Sequence, residues 1–262
     1  MVGRSVQHLK LRDGAIAWLR NQTPGDAPLV MLHGLGDSAI RVFPPHIATG
    51  PLAGYPLLFV DLPGFGESHF TSDHPATITR YADDVATLLE FLGTTPTAIF
   101  GHSMGGNIAL KLAHRHPHLV SRLVLAEPLL DASQSILAAS IANVNEETFL
   151  NRRHGMLLRA TSLQAHRGDR AAAAFLEPLH LANPIAMHRA ARSLIHNAAA
   201  CADLLLRGLP MPRTVLVGER TVADTSGLER AGIPAVRIAD AGHLMLIEAE
   251  INTTYAILKA IN

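Results

Sequence analysis

The chain has 262 residues, 48% of them hydrophobic and 17% charged, and its 22 Lys and Arg balance 22 Asp and Glu. This composition describes a globular protein with a large core and excludes disorder, while zero net charge removes the positive field of a nucleic-acid or anionic-lipid binder. A single cysteine, Cys201, excludes an intrachain disulfide, and no run approaches the roughly twenty apolar residues of a membrane span.

In chain order, residues 6–11 and 15–20 read as short strands around Asp13-Gly14, a turn dipeptide suited to an antiparallel hairpin. Residues 28–32 and 56–60 are unbroken apolar runs, as expected of strands buried on both faces of a parallel sheet. A helix is predicted over 77–92, where Ile78, Tyr81, Val85, Leu88, Leu89 and Leu92 form one stripe and Gly93 follows as a stop. Residues 97–100 give another strand, 107–114 a helix closed by Pro117, and 120–126 a further strand. This alternation implies right-handed crossovers and a mainly parallel sheet with helices on both faces. From 131 to 207 the chain is rich in Ala, Leu, Arg and His without β-branched runs, and reads as an inserted helical cap. Alternation resumes with a strand at 214–217, a short helix near Leu228, a strand at 235–238 and a last helix over 248–260. The core is therefore expected in two pieces, 1–130 and 208–262, with the cap between them at 131–207.

Gly101-His102-Ser103-Met104-Gly105 falls between a buried strand and a helix, where a sharp turn holds a serine hydroxyl above the sheet edge. Glycines at 101, 105 and 106 permit close approach and unusual backbone angles there. The plainer alternative is a glycine turn with a helix-capping serine. A serine hydroxyl is a poor nucleophile near neutral pH until an imidazole accepts its proton, so one of the fifteen histidines must partner it.

Three further stretches carry a resemblance: Leu32-His33-Gly34-Leu35-Gly36, Asp61-Leu62-Pro63-Gly64-Phe65-Gly66-Glu67-Ser68, and Ala241-Gly242-His243-Leu244. With the Ser103 motif, the sequence resembles the α/β-hydrolase fold family over nearly its whole length outside the cap. The resemblance implies an α/β fold with an eight-stranded, mainly parallel sheet and helices on both faces. It implies Ser103 as nucleophile, His243 as general base, and the backbone N–H groups of Leu35 and Met104 as an oxyanion hole. The turn from Asp61 to Ser68 is read as structural, fixing the loop beside the site.

The third member of such a triad orients the imidazole and stabilises the imidazolium. The common family pattern places an aspartate three residues beyond a glycine, but here that stretch is Gly218-Glu219-Arg220-Thr221, and threonine carries no charge. Asp224 and Glu219 are nearby substitutes. A third candidate, Glu127, ends the apolar strand at 120–126, a place from which some members, including certain dehalogenases and zearalenone-type lactone hydrolases, take their acid. A carboxylate there is costly to bury unless paired, and His243 would pair it. Glu127 is preferred, with Asp224 and Glu219 kept as alternatives.

The expected chemistry is hydrolysis of a small, mostly apolar ester or lactone through an acyl-enzyme, with no cofactor and no metal. A hydroxyl at position 103 disfavours haloalkane dehalogenation, which needs a carboxylate nucleophile. Cleavage of a carbon-carbon, thioester or amide bond by the same triad, and a non-catalytic small-ligand receptor, are the competing readings. Leu129, Leu130, Ile136, Leu137, Phe149, Met156 and Leu157 are candidate pocket residues, and Arg152 and Arg153 read as solvated. His114, His116 and His118 read as a solvated helix end, since no carboxylate or cysteine stands in ligand spacing. Residues 1–10 lack the apolar stretch of a secretory signal, so a cytoplasmic monomer or homodimer is expected, without nucleic-acid or membrane partners.

Overall fold

The computed structural model describes residues 5–25, 27–48, 50–222 and 224–262, with the backbone alone at 134 and 207. The opening hairpin is β1 (Gln7–Leu11) and β2 (Gly14–Arg20), paired from Gln7 opposite Trp18 to Leu11 opposite Gly14. There follow β3 (Leu29–Leu32), α1 (Ala39–Ile47), β4 (Leu57–Asp61), β5 (His69–Phe70), α2 (Ile78–Phe91), β6 (Thr97–His102), α3 (Met104–Arg115) and β7 (Val120–Ala126). The sheet runs β1-β2-β4-β3-β6-β7 and continues through β8 (Arg213–Gly218) and β9 (Ala235–Ile238), and it is parallel from β4 onward. Eight strands lie on this path, as expected. The ninth, β5, is two residues paired with β2, too short to leave a periodic signal. α1, which carries Pro44 and Pro45 inside it, is an element not placed from the sequence.

Alternate residues of the central strands enter opposite cores. Val30, Leu32, Leu58, Val60 and Ile99 pack with α2 and α3, whereas Leu29, Met31, Leu57, Phe59 and Phe100 pack with α1 and the C-terminal helices. Both faces are buried, so the runs lack polar alternation. After β8, the chain forms a short helix at Ser226–Arg230 and, after β9, helices at Met245–Glu248 and Glu250–Ile261.

Between β7 and β8, every regular element among the described residues is helical: a 3₁₀ turn at Ala132–Gln134, segments at Ile136–Ala142 and Glu146–Thr148, a π-turn at Phe149–Arg153, and helices His154–His166, Arg170–Leu181 and Pro184–Arg207. The last is 24 residues long, opened by Asn183, which caps Ile185 and Ala186. Its buried Ala186, Ala190, Ala191 and Ala198 let it lie close against α2 and α3, so it shares the main core. No helix among the described residues is long and apolar enough to cross a membrane.

Two buried carboxyls stand beside the β3–α1 loop. Asp61 ends β4 and accepts hydrogen bonds from Ser38 Oγ at 2.8 Å, Ile40 N at 3.1 Å and Glu67 N at 2.9 Å. It thereby ties the start of α1 to the turn after β4, the structural part assigned to that motif. Gly66 is obligatory there: its φ is +51°, and a Cβ would fall 1.9 Å from Asp61 Oδ2. Asp37 is only 4% exposed and accepts just a local bond, from Ser38 N at 2.8 Å, among the described residues. Burial pushes its pKa up to about 7, against the pull of Ser38 N–H and with a further push from the Asp61 charge.

Two predictions follow from these contacts. A Cβ on Gly105, at the start of α3, would lie 2.5 Å from Leu32 O and 2.7 Å from His33 O, both backbone atoms. Gly105→Ala should cost about 3 kcal/mol or more in urea unfolding; a loss under about 0.5 kcal/mol would show that β3 and α3 separate freely. For Asp37, the folded pKa lies above the unfolded value of 3.8, so its stabilising contribution is full below that value and lost as pH rises through about 7. Asp37→Asn escapes the loss, and its Tm advantage over the parent should widen from about pH 5 to about pH 8. A Tm difference independent of pH would contradict this.

Candidate active site

Ser103 stands at the junction of β6 and α3 with φ +53° and ψ −118°. Its N–H donates to Ala126 O at 2.8 Å, fastening the turn to the end of β7. The angle is strained for a residue with a side chain, and the close approach beneath it explains why it persists. A Cβ on Gly101 would fall 2.4 Å from Gly105 O, so strand and helix touch backbone to backbone. Ser103 occupies the N-cap position of α3, yet its side chain makes no capping hydrogen bond. The capping alternative therefore fails, and the hydroxyl is left for the cavity it lines.

Glu127 follows β7 and is also forced to positive φ, +51°. Its N–H donates to Leu216 O at 3.0 Å, and its side chain, 8% exposed, turns toward the loop after β8. Oε1 accepts Gly218 N–H at 2.7 Å, and Oε2 lies 3.7 Å from His243 Nδ1. Burial pushes this carboxyl up, but His243, Gly218 N–H and the Thr221 hydroxyl together hold it below the usual carboxylate range. Thr221, the residue standing where the common pattern has aspartate, thus contributes to keeping the glutamate charged. Asp224 is exposed and accepts Ser226 N–H at 2.9 Å, opening the short helix. Glu219 is exposed and accepts Asp240 N–H at 3.0 Å. Of the three candidate acids, the structure brings Glu127 to His243.

His243 is 53% exposed on its side chain, and its backbone is held on every side. Glu248 Oε2 accepts Gly242 N–H at 2.5 Å and Oε1 accepts Leu244 N–H at 3.3 Å. Arg220 pairs with the same carboxylate and donates to Asp240 O at 2.7 Å. The His243 carbonyl accepts from His102 Nε2 at 2.8 Å, which fixes the His102 tautomer, since a carbonyl only accepts. Burial, then the charge of His243, lowers the His102 pKa to about 3, so this imidazole stays neutral. Sequence reasoning missed Glu248, Arg220 and His102 as supports. Their positions beside the two motifs were the available signal.

Leu35 and Met104 are buried at the cavity wall and at the start of α3, and among the described residues neither N–H has an acceptor. Met104 N–H also sits at the positive end of the α3 dipole. His33 braces the first loop: with Nδ1 against Gly34 O at 2.7 Å, its Nε2 accepts Leu62 N–H at 3.1 Å.

The cavity, about 560 Å³, is lined by Ser103, His243, Glu127, Leu35 and Asp37. Leu129, Leu130, Ile136 and Leu137 line it as expected. Phe149 instead lies in the core against His188, and Met156 and Leu157 are outside the lining. Phe175, Leu194, Val215, Val217 and Leu228 complete an aliphatic wall with one aromatic ring. Arg152 and Arg153 are exposed, and His116 pairs with Asp83 at 2.9 Å. Among the described residues no three metal-binding side chains cluster.

A family model described as alpha/beta hydrolase fold matches residues 27–172. The magnesium-chelatase 30 kDa subunit of Rhodobacter capsulatus is 37% identical over 122 residues, covering 45% of this chain and 41% of that protein. The sn-1-specific diacylglycerol lipase ABHD11 of Mus musculus is 36% identical over 110 residues, covering 41% of this chain and 35% of that protein. The aligned part thus spans about two fifths of the length of these curated relatives. Among solved structures, a thermophilic esterase from Thermogutta terrifontis superposes with TM-score 0.77 over 98% of this chain and 97% of that one, at 23% identity. With a family match over more than half of the sequence, on a sheet of this order and with helices on both faces, the chain belongs to the α/β-hydrolase fold family.

Proposed function

We propose that this protein is a serine hydrolase that cleaves the carboxylic ester or lactone bond of a small, mostly apolar substrate through an acyl-enzyme on Ser103. The observation that carries the reading is the pairing of buried Glu127 with His243 in the same cavity as an uncapped, strained Ser103. The coverage of the relatives leaves the activity to the site's own chemistry, with which the mouse lipase and the bacterial esterase agree in kind.

In this mechanism Ser103 Oγ attacks the carbonyl carbon while His243 Nε2 takes the hydroxyl proton. Among the described residues Ser103 Oγ makes no hydrogen bond to His243, and in this mechanism that bond forms when substrate fills the cavity. Negative charge on the carbonyl oxygen is met by the N–H groups of Leu35 and Met104, both fixed before reaction and shielded from water. Collapse of the tetrahedral intermediate expels the alcohol, which takes the proton back from His243. Water deprotonated by His243 then attacks the acyl-enzyme and releases the acid; from a lactone, acid and alcohol remain in one product. Glu127, charged and bonded to Gly218 N–H, orients His243 through Nδ1 and stabilises its protonated form.

The helical stretch 131–207 serves in this reading as the cap over the core of 1–130 and 208–262, with the helix Pro184–Arg207 as its root. Leu129, Leu130, Ile136 and Leu137 give the cavity an aliphatic side, which favours an uncharged acyl group. The hydroxyl at position 103 weighs against a dehalogenase.

The protein should turn over short-chain p-nitrophenyl esters and be labelled at Ser103 by a fluorophosphonate. No turnover together with no labelling would remove the hydrolase reading. Among the acids, Glu127→Gln should lower kcat by on the order of 10³-fold or more, while Asp224→Asn and Glu219→Gln stay near the parent. A Glu127→Gln variant with near-parental kcat would overturn the assignment of the acid.

A further inference from the structure

Asp37 is a buried acid on the wall of the reaction cavity that the mechanism above does not use. Its neighbour Asp61 joins α1 to the turn after β4 by three hydrogen bonds, whereas Asp37 accepts one, from the next residue in the chain. It therefore brings a buried carboxyl into the fold without linking two elements. Such a group is costly to bury, and a cost kept at a cavity wall points to the cavity. Oδ1 is the atom occupied by Ser38 N–H, and among the described residues Oδ2 has no partner. Leu35, Phe175 and Leu194 line the same cavity.

Topology says which part of a substrate this group meets. Along the sheet the order is β3, β6, β7, β8, β9. Ser103 follows β6, Asp37 follows β3 on one side of it, and Glu127 and His243 follow β7 and β9 on the other. The leaving alcohol must stay near His243, which protonates it, so the acyl chain runs toward the β3 side. Asp37 is two residues beyond Leu35, whose N–H faces the carbonyl oxygen, and two residues span at most about 7 Å.

We propose that Asp37 is a specificity-determining residue that selects acyl groups carrying a hydroxyl or keto oxygen within a few bonds of the scissile carbonyl. This rests on the hydrolase reading given above. With its pKa near 7, raised chiefly by burial and further by Asp61, the carboxyl presents Oδ2–H as a donor at and below neutral pH. A hydroxyl satisfies it in either protonation state, since it both accepts and donates. An unsubstituted acyl chain passing this stretch of the cavity leaves the acid without a partner, and that penalty is the source of discrimination.

The test compares p-nitrophenyl butyrate with p-nitrophenyl 3-hydroxybutyrate, each kcat/KM divided by the ester's rate with hydroxide. The parent should favour the hydroxylated ester by about tenfold. Asp37→Leu should bring the ratio close to one, and Asp37→Asn, which keeps an amide donor, should retain part of the preference. A parent ratio near one, or a ratio unchanged in Asp37→Leu, overturns the proposal. The parent ratio decides the matter even if the leucine variant does not fold. Turnover of butyrate without preference removes the role of Asp37 alone, whereas no turnover of either ester and no labelling of Ser103 removes the hydrolase reading with it.

Discussion

Backbone contact between β3, β6 and the first turn of α3 tolerates no side chain, and the geometry of the site is built on it. Gly101 and Gly105 bring strand and helix together so tightly that Ser103, caught between them, takes a positive φ. A strained residue persists only where its surroundings over-determine it. Here those surroundings are the parallel ladder on either side of β6 and the bond from Ser103 N–H to Ala126 O. The same bond sets the turn beside the end of β7, where Glu127 leaves the sheet at positive φ in its turn. Strain is thus confined to two neighbouring strand ends, both facing the cavity.

From that fixed edge the histidine is positioned through its backbone as much as through its ring. Glu248 takes the N–H groups on both sides of His243, and neutral His102 holds its carbonyl. Hence an imidazole that is half-exposed to the cavity still has a defined place. The carboxylate opposite it comes from β7 and not from the loop after β8. That loop contributes Gly218 N–H, which hydrogen-bonds to Glu127, and the Thr221 hydroxyl, which helps hold the carboxyl below its usual range. Charge and support have exchanged loops while the region around Nδ1 remains negative.

The buried carboxyls beside α1 show how the same residue type serves opposite ends. Asp61 offsets its desolvation with three donors from separate segments, and so organises the loop carrying the Leu35 amide. Asp37 has a single local donor and a pKa near 7, a poor return for stability. Its place on the cavity wall is where such a return is expected to be poor.

Much of the fold was legible in the sequence because buried parallel strands leave unbroken apolar runs and the helices between them leave stripes. The strands at 29–32, 57–61, 97–102, 120–126 and 235–238 fall within two residues of their expected bounds. α1, with two prolines inside it, went unplaced, and β5 escaped because two residues have no period. Ser103, His243 and the loop motifs were likewise readable, since short-range chemistry and glycine placement are written locally. The partner of His243 was not: Glu127, Glu219 and Asp224 lie within reach of one sheet edge by topology, and sequence spacing cannot say which side chain turns inward. Only the tertiary structure decided it, by engaging Glu219 with Asp240 N–H and Asp224 with Ser226 N–H, and by aiming Glu127 at Nδ1. The Asp37 environment was equally invisible in sequence, because burial, and with it the pKa of an acid, is a property of what packs around it.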